Sequence, residues 1–369
     1  MAHRNHDFAL NFYQTLQGTE GNLFFSPYSI CTAFAMTYAG ARGQTEQQIA
    51  QVFGFSQGED FHAAFSGLER PLKAGQQSND VLFLSANSLF PQIKYPFLES
   101  FLALLEKYYQ VKITPVDYYN DFQAARNTIN QWVAEQTQHK INELIPPNAL
   151  TELTRLVLVN AVYFKGSWAN PFDRDGTETK PFWLTSDREI PVPMMNITGQ
   201  FNYAQTEEVQ VLELPYRGNN FSMMILLPRE RNGLMELEKN LSLNNLYQWI
   251  QPMYTQQVEV SLPRFEINFK SELSNTLAQM GVTDAFDENK ANFSGMDGRE
   301  HWLYIKNVFH QACIEVNEEG SEATAATAVQ IEARCLPPSF NANHPFIFLI
   351  SENNTGNIVF LGRLVNPEI

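Results

Sequence analysis

Arg334 is the only basic residue between Gly320 and Phe340, and it is followed directly by Cys335. A guanidinium on a loop can pair with an aspartate at the base of a protease specificity pocket, so the bond after Arg334 offers a trypsin-like enzyme one obvious target. The neighbouring thiol would be exposed there, open to oxidation or to capping by a disulfide or glutathione. The chain itself carries little that could catalyse. It has no GxSxG, SxxK or HExxH pattern and no Gly-rich cradle for phosphate. GARG at Gly40 to Gly43 is too short for one and reads as a turn. The seven histidines are scattered, and neither His301 nor His310 is followed by metal-ligand spacing. No metal, no cofactor and no enzymatic activity are expected.

The segment around Arg334, EEGSEATAATAVQIEARCLPPSF from Glu318 to Phe340, lies between two apolar stretches, IEV and HPFIFLI, that read as buried strands. A loop of this length inside a compact fold is usually functional or disordered. A disordered linker should be rich in Pro, Lys and Gly, whereas this segment holds Ala, Thr and Val. Taken by twos, Ser321, Ala323, Ala325 and Thr327 form one face of small residues, so an extended Gly320 to Ala328 could enter a sheet without steric conflict.

The rest of the chain must hold that loop in place. Its 369 residues, 44% of them hydrophobic, suffice for a large core, and no repeat, low-complexity block or linker divides them. A single domain over residues 1–369 is expected. A net charge of −15 argues against nucleic acid or an anionic membrane as partner. No apolar run is long enough to span a bilayer. The first residues, MAHRNHDFALNFYQTL, read as an amphipathic helix through Phe8, Leu10, Phe12 and Leu16 rather than as a signal core, which leaves the compartment open: intracellular, or secreted after loss of a signal. Cys31, Cys313 and Cys335 are too scattered for a disulfide framework.

Helical and strand patterns alternate along the chain. Ser26-Pro27 supplies an N-cap with Pro at the first helical position, and Ile30, Ala33, Phe34, Thr37 and Ala41 then give a buried face. Thr45 with Gln48 reads as a capping box. DVLFLSANSLF and LVLVNAVYFKGSW read as strands with the helical DFQAARNTINQWVAEQTQHKI between them. VQVLELPYRGNNFSMMILLP predicts a hairpin turning at Arg217 to Asn220. VEVSLPRFEI predicts one further strand, SELSNTLAQMGV a helix with Gly281 as its C-cap, and IVFLGRLVNP a closing strand.

These blocks, in this order and over nearly the whole chain, resemble the serpins, the serine protease inhibitors that trap proteases by loop insertion. The resemblance is sharpest at Glu318-Glu319-Gly320-Ser321-Glu322-Ala323-Thr324-Ala325-Ala326-Thr327, which follows the family's hinge. It implies an α+β fold with a large mixed central sheet, smaller sheets and about nine helices. In the family the hinge glycine lies fourteen positions before the acyl side of the reactive bond, which from Gly320 gives Arg334; counting back twelve from Phe346 gives Arg334 again. The reactive bond is then Arg334-Cys335. The resemblance also implies a shutter of Ser26, Ser29, Asn160 and His310, and a breach of Trp168, Arg264 and Glu318. If the Glu318–Arg264 pair lies on the surface, it contributes only ~0–1 kcal/mol.

The family mechanism implied is suicide inhibition of a trypsin-like protease, with a covalent acyl complex and insertion of the cut loop into the main sheet. Added ladder hydrogen bonds net only ~0.5–1.5 kcal/mol each against ~1–2 kcal/mol per residue ordered. Insertion therefore requires a metastable uncut fold, the stored strain attributed to this family. A monomer is expected. So is the lack of a strong heparin site, because the region after Asn87 carries only Lys94 before Lys107. A non-inhibitory serpin, a chaperone or small-ligand carrier, is the alternative; the unbroken small-residue hinge argues against it. An ordinary hydrolase is more distant still.

Overall fold

The computed structural model describes residues 2–58, 60–75, 80–111, 113–319 and 337–368. Among them are ten α-helices and thirteen strands. The strands are β1 (Leu23–Phe25), β2 (Val81–Pro91), β3 (Leu156–Gly166), β4 (Asp173–Trp183), β5 (Glu189–Gln205) and β6 (Val209–Pro215). They continue as β7 (Phe221–Pro228), β8 (Tyr254–Pro263), β9 (Phe265–Glu272), β10 (Asn307–Val316), β11 (Ser339–Asn341), β12 (Phe346–Glu352) and β13 (Ile358–Leu364).

Nine strands form a mixed sheet in the order β1-β13-β12-β7-β6-β5-β8-β11, with β4 also on β5. The other four form a sheet in the order β2-β3-β10-β9. Its centre is parallel: β10 runs beside β3 from the pair Asn307–Val157 to Ile314–Phe164, while β2 and β9 flank them antiparallel. Both faces of this smaller sheet are covered. On one, Val157, Val159, Ala161 and Phe309 meet Ala125, Ile129 and Val133 of the helix Tyr118–Gln136. On the other, Val162, Phe164, Ala312 and Ile314 share a core with Phe348, Phe360 and Ile225 of the nine-stranded sheet. Burial on both sides explains why LVLVNAVYF reads as a continuous apolar run rather than an alternation.

Local signals place most elements. Phe8, Leu10, Phe12 and Leu16 of the first helix, Ala2–Leu16, are buried. Pro27–Tyr38 is a helix with Ser26 as N-cap, its hydroxyl accepting from the Ser29 amide, and every residue of it is buried, not one face alone. The hairpin turns where expected, with Gly218 and Asn219 in the left-handed region (φ 81° and 54°), and Gly281 at φ 118° ends the helix Ser274–Met280.

Two expectations are corrected. Thr45 and Gln48 form no capping box: the helix Gly43–Phe53 begins after Arg42, without a side-chain cap. Thr45 Oγ1 instead accepts from the Asn292 amide and Gln48 Oε1 from the amides of Thr283 and Asp284, so both polar groups are spent on tertiary contacts. VEVSLPRFEI is not one strand but parts of two, β8 and β9, which belong to different sheets. Pro263 offers no amide to continue the ladder, and Arg264 sits at the crossing with its amide on Pro193 O.

Candidate functional site

In the middle of the four-stranded sheet three polar residues lie side by side in cross-strand register: Asn87 on β2 opposite Asn160 on β3, and Asn160 beside His310 on β10. Ser271 on β9 completes the row. The helix Pro27–Tyr38 lowers Ser29 onto it. Asn160 Nδ2 donates to Ser29 Oγ (2.6 Å) and to Asn87 Oδ1, and Ser29 Oγ donates to Asn87 Oδ1 (3.0 Å). Since Asn160 Oδ1 is left as acceptor, His310 donates to it from Nδ1. The other ring nitrogen, Nε2, is buried without a partner. Desolvation alone holds the His310 pKa down at about 3, so the ring is neutral at physiological pH.

The structure thus joins Ser29, Asn160 and His310. It leaves Ser26 one step away, bonded to Val359 O at 2.8 Å and to the Ser29 amide. It also adds Asn87, which sequence reasoning missed. The available signal was an amide in the middle of the apolar VLFLSANSLF, a residue type that even half-buried needs partners.

At the end of β10 the backbone continues through Asn317 to Glu319 against the segment that follows β3. Trp168 is buried and stacks on Tyr216 with ring centroids 4.5 Å apart. Its indole Nε1 donates to Asn317 O (2.9 Å), its amide to Glu319 O (3.2 Å), and the Phe172 amide to Glu318 O (2.9 Å). Arg264 Nε reaches both carboxylate oxygens of Glu318 at 2.7 Å, and Thr177 Oγ1 donates to the same group. The pair is not the surface contact considered above: Glu318 is only 3% exposed, although the Arg264 side chain is 46% exposed. Burial alone would raise the Glu318 pKa, but the hydrogen bonds from Arg264 and then Thr177 outweigh it and leave the carboxyl below its usual range. Thr177 was not foreseen. Arg174 forms a further ion pair with Glu319.

Gly320, Ser321, Glu322, Ala323, Thr324, Ala325, Ala326 and Thr327 of the hinge, and the bond Arg334-Cys335, lie outside the described residues. Cys31 and Cys313 are buried free thiols. Among the described residues no group of His, Cys, Asp and Glu could hold a metal ion, and no helix is long and apolar enough to cross a membrane.

A family model described as "Serpin (serine protease inhibitor)" matches residues 3–367. Serpin B6 of Macaca fascicularis is 41% identical over 100% of this chain and 99% of its own length. Leukocyte elastase inhibitor of Homo sapiens is 40% identical, covering 98% of each chain. Among solved structures, uncleaved ovalbumin superposes with a TM-score of 0.93 at 31% identity, over 99% of both chains. With the family matched along nearly its whole length and relatives of this similarity from end to end, the chain belongs to the serpin family.

Proposed function

We propose that this protein is a suicide-substrate inhibitor of trypsin-like serine proteases, cut between Arg334 and Cys335. The protease serine attacks the Arg334 carbonyl, an acyl-enzyme ester forms, and Cys335 departs as a new N-terminal amine. Ser321 to Ile331, freed at one end, then inserts between β3 and β10, in the four-stranded sheet rather than in the larger nine-stranded one, and carries the tethered enzyme with it.

The observation that carries this reading is the parallel pairing of β3 with β10. A chain that leaves the end of β10 and turns back between these strands runs antiparallel to both. One parallel ladder is thereby exchanged for two antiparallel ones, the more stable arrangement per residue. The polar row of Asn87, Asn160 and His310 crosses the line of separation. It can take new polar partners where a hydrocarbon seam could not, so it suits a gate that holds the strands together until displaced. Trp168 and Glu318, fastened at the end of β10, stand where such an insertion would begin.

Target class rests on Arg334. The name of the leukocyte elastase inhibitor points to an enzyme whose specificity pocket is small. A guanidinium does not fit such a pocket. Incubation with trypsin and with elastase separates the two. The expected result is an SDS-resistant complex with trypsin and a released C-terminal fragment beginning at Cys335. A fragment beginning elsewhere overturns the register, and cleavage with no covalent complex points instead to a carrier or chaperone.

A further inference from the structure

Away from that sheet, the ends of the helices Pro27–Tyr38, Gly43–Phe53 and Asp60–Gly75 and one face of Glu99–Tyr109 line a half-open pocket of about 540 Å³, a size typical of small-ligand sites. Tyr38, Arg42, Glu46, His62, Lys107 and Tyr108 line it. We propose that this pocket binds a small organic anion, a molecule with one negative charge and an aromatic or apolar body.

The charge argument comes first. Arg42 and Lys107 outnumber Glu46 by one, so the walls carry an uncompensated positive charge. The pocket lies at the N-terminal ends of two of these helices, Gly43–Phe53 and Asp60–Gly75, where backbone dipoles add positive potential, and the first of them has no capping side chain; Glu99–Tyr109 lines it along its length. Arg42 is fixed rather than free. Its Nη1 donates to Ala41 O (2.6 Å) and Ala39 O (3.1 Å), and a Cβ on Gly295 would lie 2.4 Å from its Cζ. Only glycine leaves the guanidinium in that position unmoved.

An independent observation is the Tyr38 hydroxyl. Tyr38 is 5% exposed, and its hydroxyl has no partner at hydrogen-bond geometry. Burial, and after it the charge of the Glu46 carboxylate and its pull on the hydroxyl hydrogen, raise its pKa, so the group is a protonated donor whose neighbouring acceptor stands outside close hydrogen-bond geometry. His62 adds an uncharged aromatic wall: burial and then Arg42 lower its pKa to about 4, and its Nδ1 is engaged by the Tyr109 hydroxyl at 2.7 Å. Tyr108, with Lys107 Nζ lying 4.6 Å from its ring centroid, provides a second. Donors and charge at one place, and rings around them, fit an anionic head on an apolar body.

Calorimetric titration of the full chain with naphthalene-2-carboxylate, and in parallel with the uncharged naphthalene-2-methanol, tests this. One saturable site is expected, with the acid bound about tenfold more tightly than the alcohol. Tyr38→Phe keeps the ring and its packing and should weaken the acid about tenfold while leaving the alcohol unchanged. Lys107→Gln, on the exposed side, should weaken the acid about threefold with thermal unfolding unaltered. Equal affinity for acid and alcohol overturns the proposal. So does acid binding indifferent to both substitutions, or no saturable site at all.

Discussion

The two sheets share a core but differ in what runs through their centres. In the nine-stranded sheet β7, β12 and β13 are antiparallel neighbours, and Ile225, Leu226, Ile347, Phe348, Leu349 and Phe360 on them are all buried hydrocarbon. In the four-stranded sheet the middle pair is parallel, and the row across it is Asn87, Asn160, His310 and Ser271. Parting the first would expose apolar surface that nothing but another apolar surface can cover. Parting β3 from β10 also uncovers apolar side chains on both faces of the sheet, but at the polar row it exchanges one set of hydrogen bonds for another. The difference is that the four-stranded sheet has a parallel central pair crossed by one polar row, the two features on which the proposed insertion rests.

The largest effect expected from this contrast comes from cutting the chain at Arg334. If the four-stranded sheet accepts the freed segment, the thermal midpoint rises sharply, although an ordinary nick lowers it. Calorimetry of intact and cut protein decides between them, and a cut form no more stable than the intact one removes the insertion step. An isolated peptide copying Gly320 to Ala333 should bind the uncut protein and abolish inhibition by filling the same seam.

Next in size is damage to the sheet that is expected to stay closed. Phe348 is fully buried, 5.8 Å from the Phe24 ring and 5.5 Å from the Phe265 ring. Phe348→Ala should cost about 3–5 kcal/mol, read from urea unfolding, without speeding peptide entry. Asn160→Ala should show the reverse balance. It leaves Asn87, Ser29 and His310 short of partners, costs about 1–3 kcal/mol, and makes peptide binding faster. Equal acceleration by both substitutions would mean that the polar row has no special place in opening.

The same row should show in acid. The His310 pKa in the folded protein, about 3, lies below the ordinary ~6.5 of the unfolded chain. Between those values the unfolded chain binds a proton that the folded one refuses, so stability is full above about pH 6.5 and falls as the pH drops toward 3. His62 acts with the same sign, its folded value being about 4. His310→Gln should flatten only part of that slope in stability measured against pH.

The smallest effect is at the end of the seam. Glu318→Gln removes a charge-assisted contact whose arginine is about half exposed to solvent, so about 1 kcal/mol is expected after screening. Because the Glu318 pKa is depressed in the folded state, that contribution is present above the usual carboxylate range and lost as pH falls below it. A parent and variant that differ equally at pH 7 and pH 3 would show that the carboxylate charge is not what holds this corner.

What the sequence determined by itself is everything carried by neighbours along the chain. Ser26-Pro27 starts a helix and Gly281 ends one because cap geometry is set within a few residues, and the turn at Gly218-Asn219 follows from their tolerance of positive φ. The order of such blocks was enough to recognise the family; the count from Gly320 and Phe346 to Arg334 falls outside the described residues and stands as a proposal. What only the tertiary structure decided is the identity of partners distant in the chain. Thr45 and Gln48 look like a cap, yet bond to residues 283, 284 and 292. Asn87, which the resemblance did not bring in, meets Asn160 across 73 positions, whereas Asn160 with His310, 150 positions apart, was a grouping the resemblance had implied. Their meeting depends on strand register, which alternation of side chains constrains to a face but not to a neighbour. Glu318 is buried because Arg264, at the point where Pro263 ends one strand, and Thr177 converge on it. Hydrogen-bonding chemistry of that kind is invisible in composition, since burial and pairing are properties of the assembled sheet and not of any residue within it.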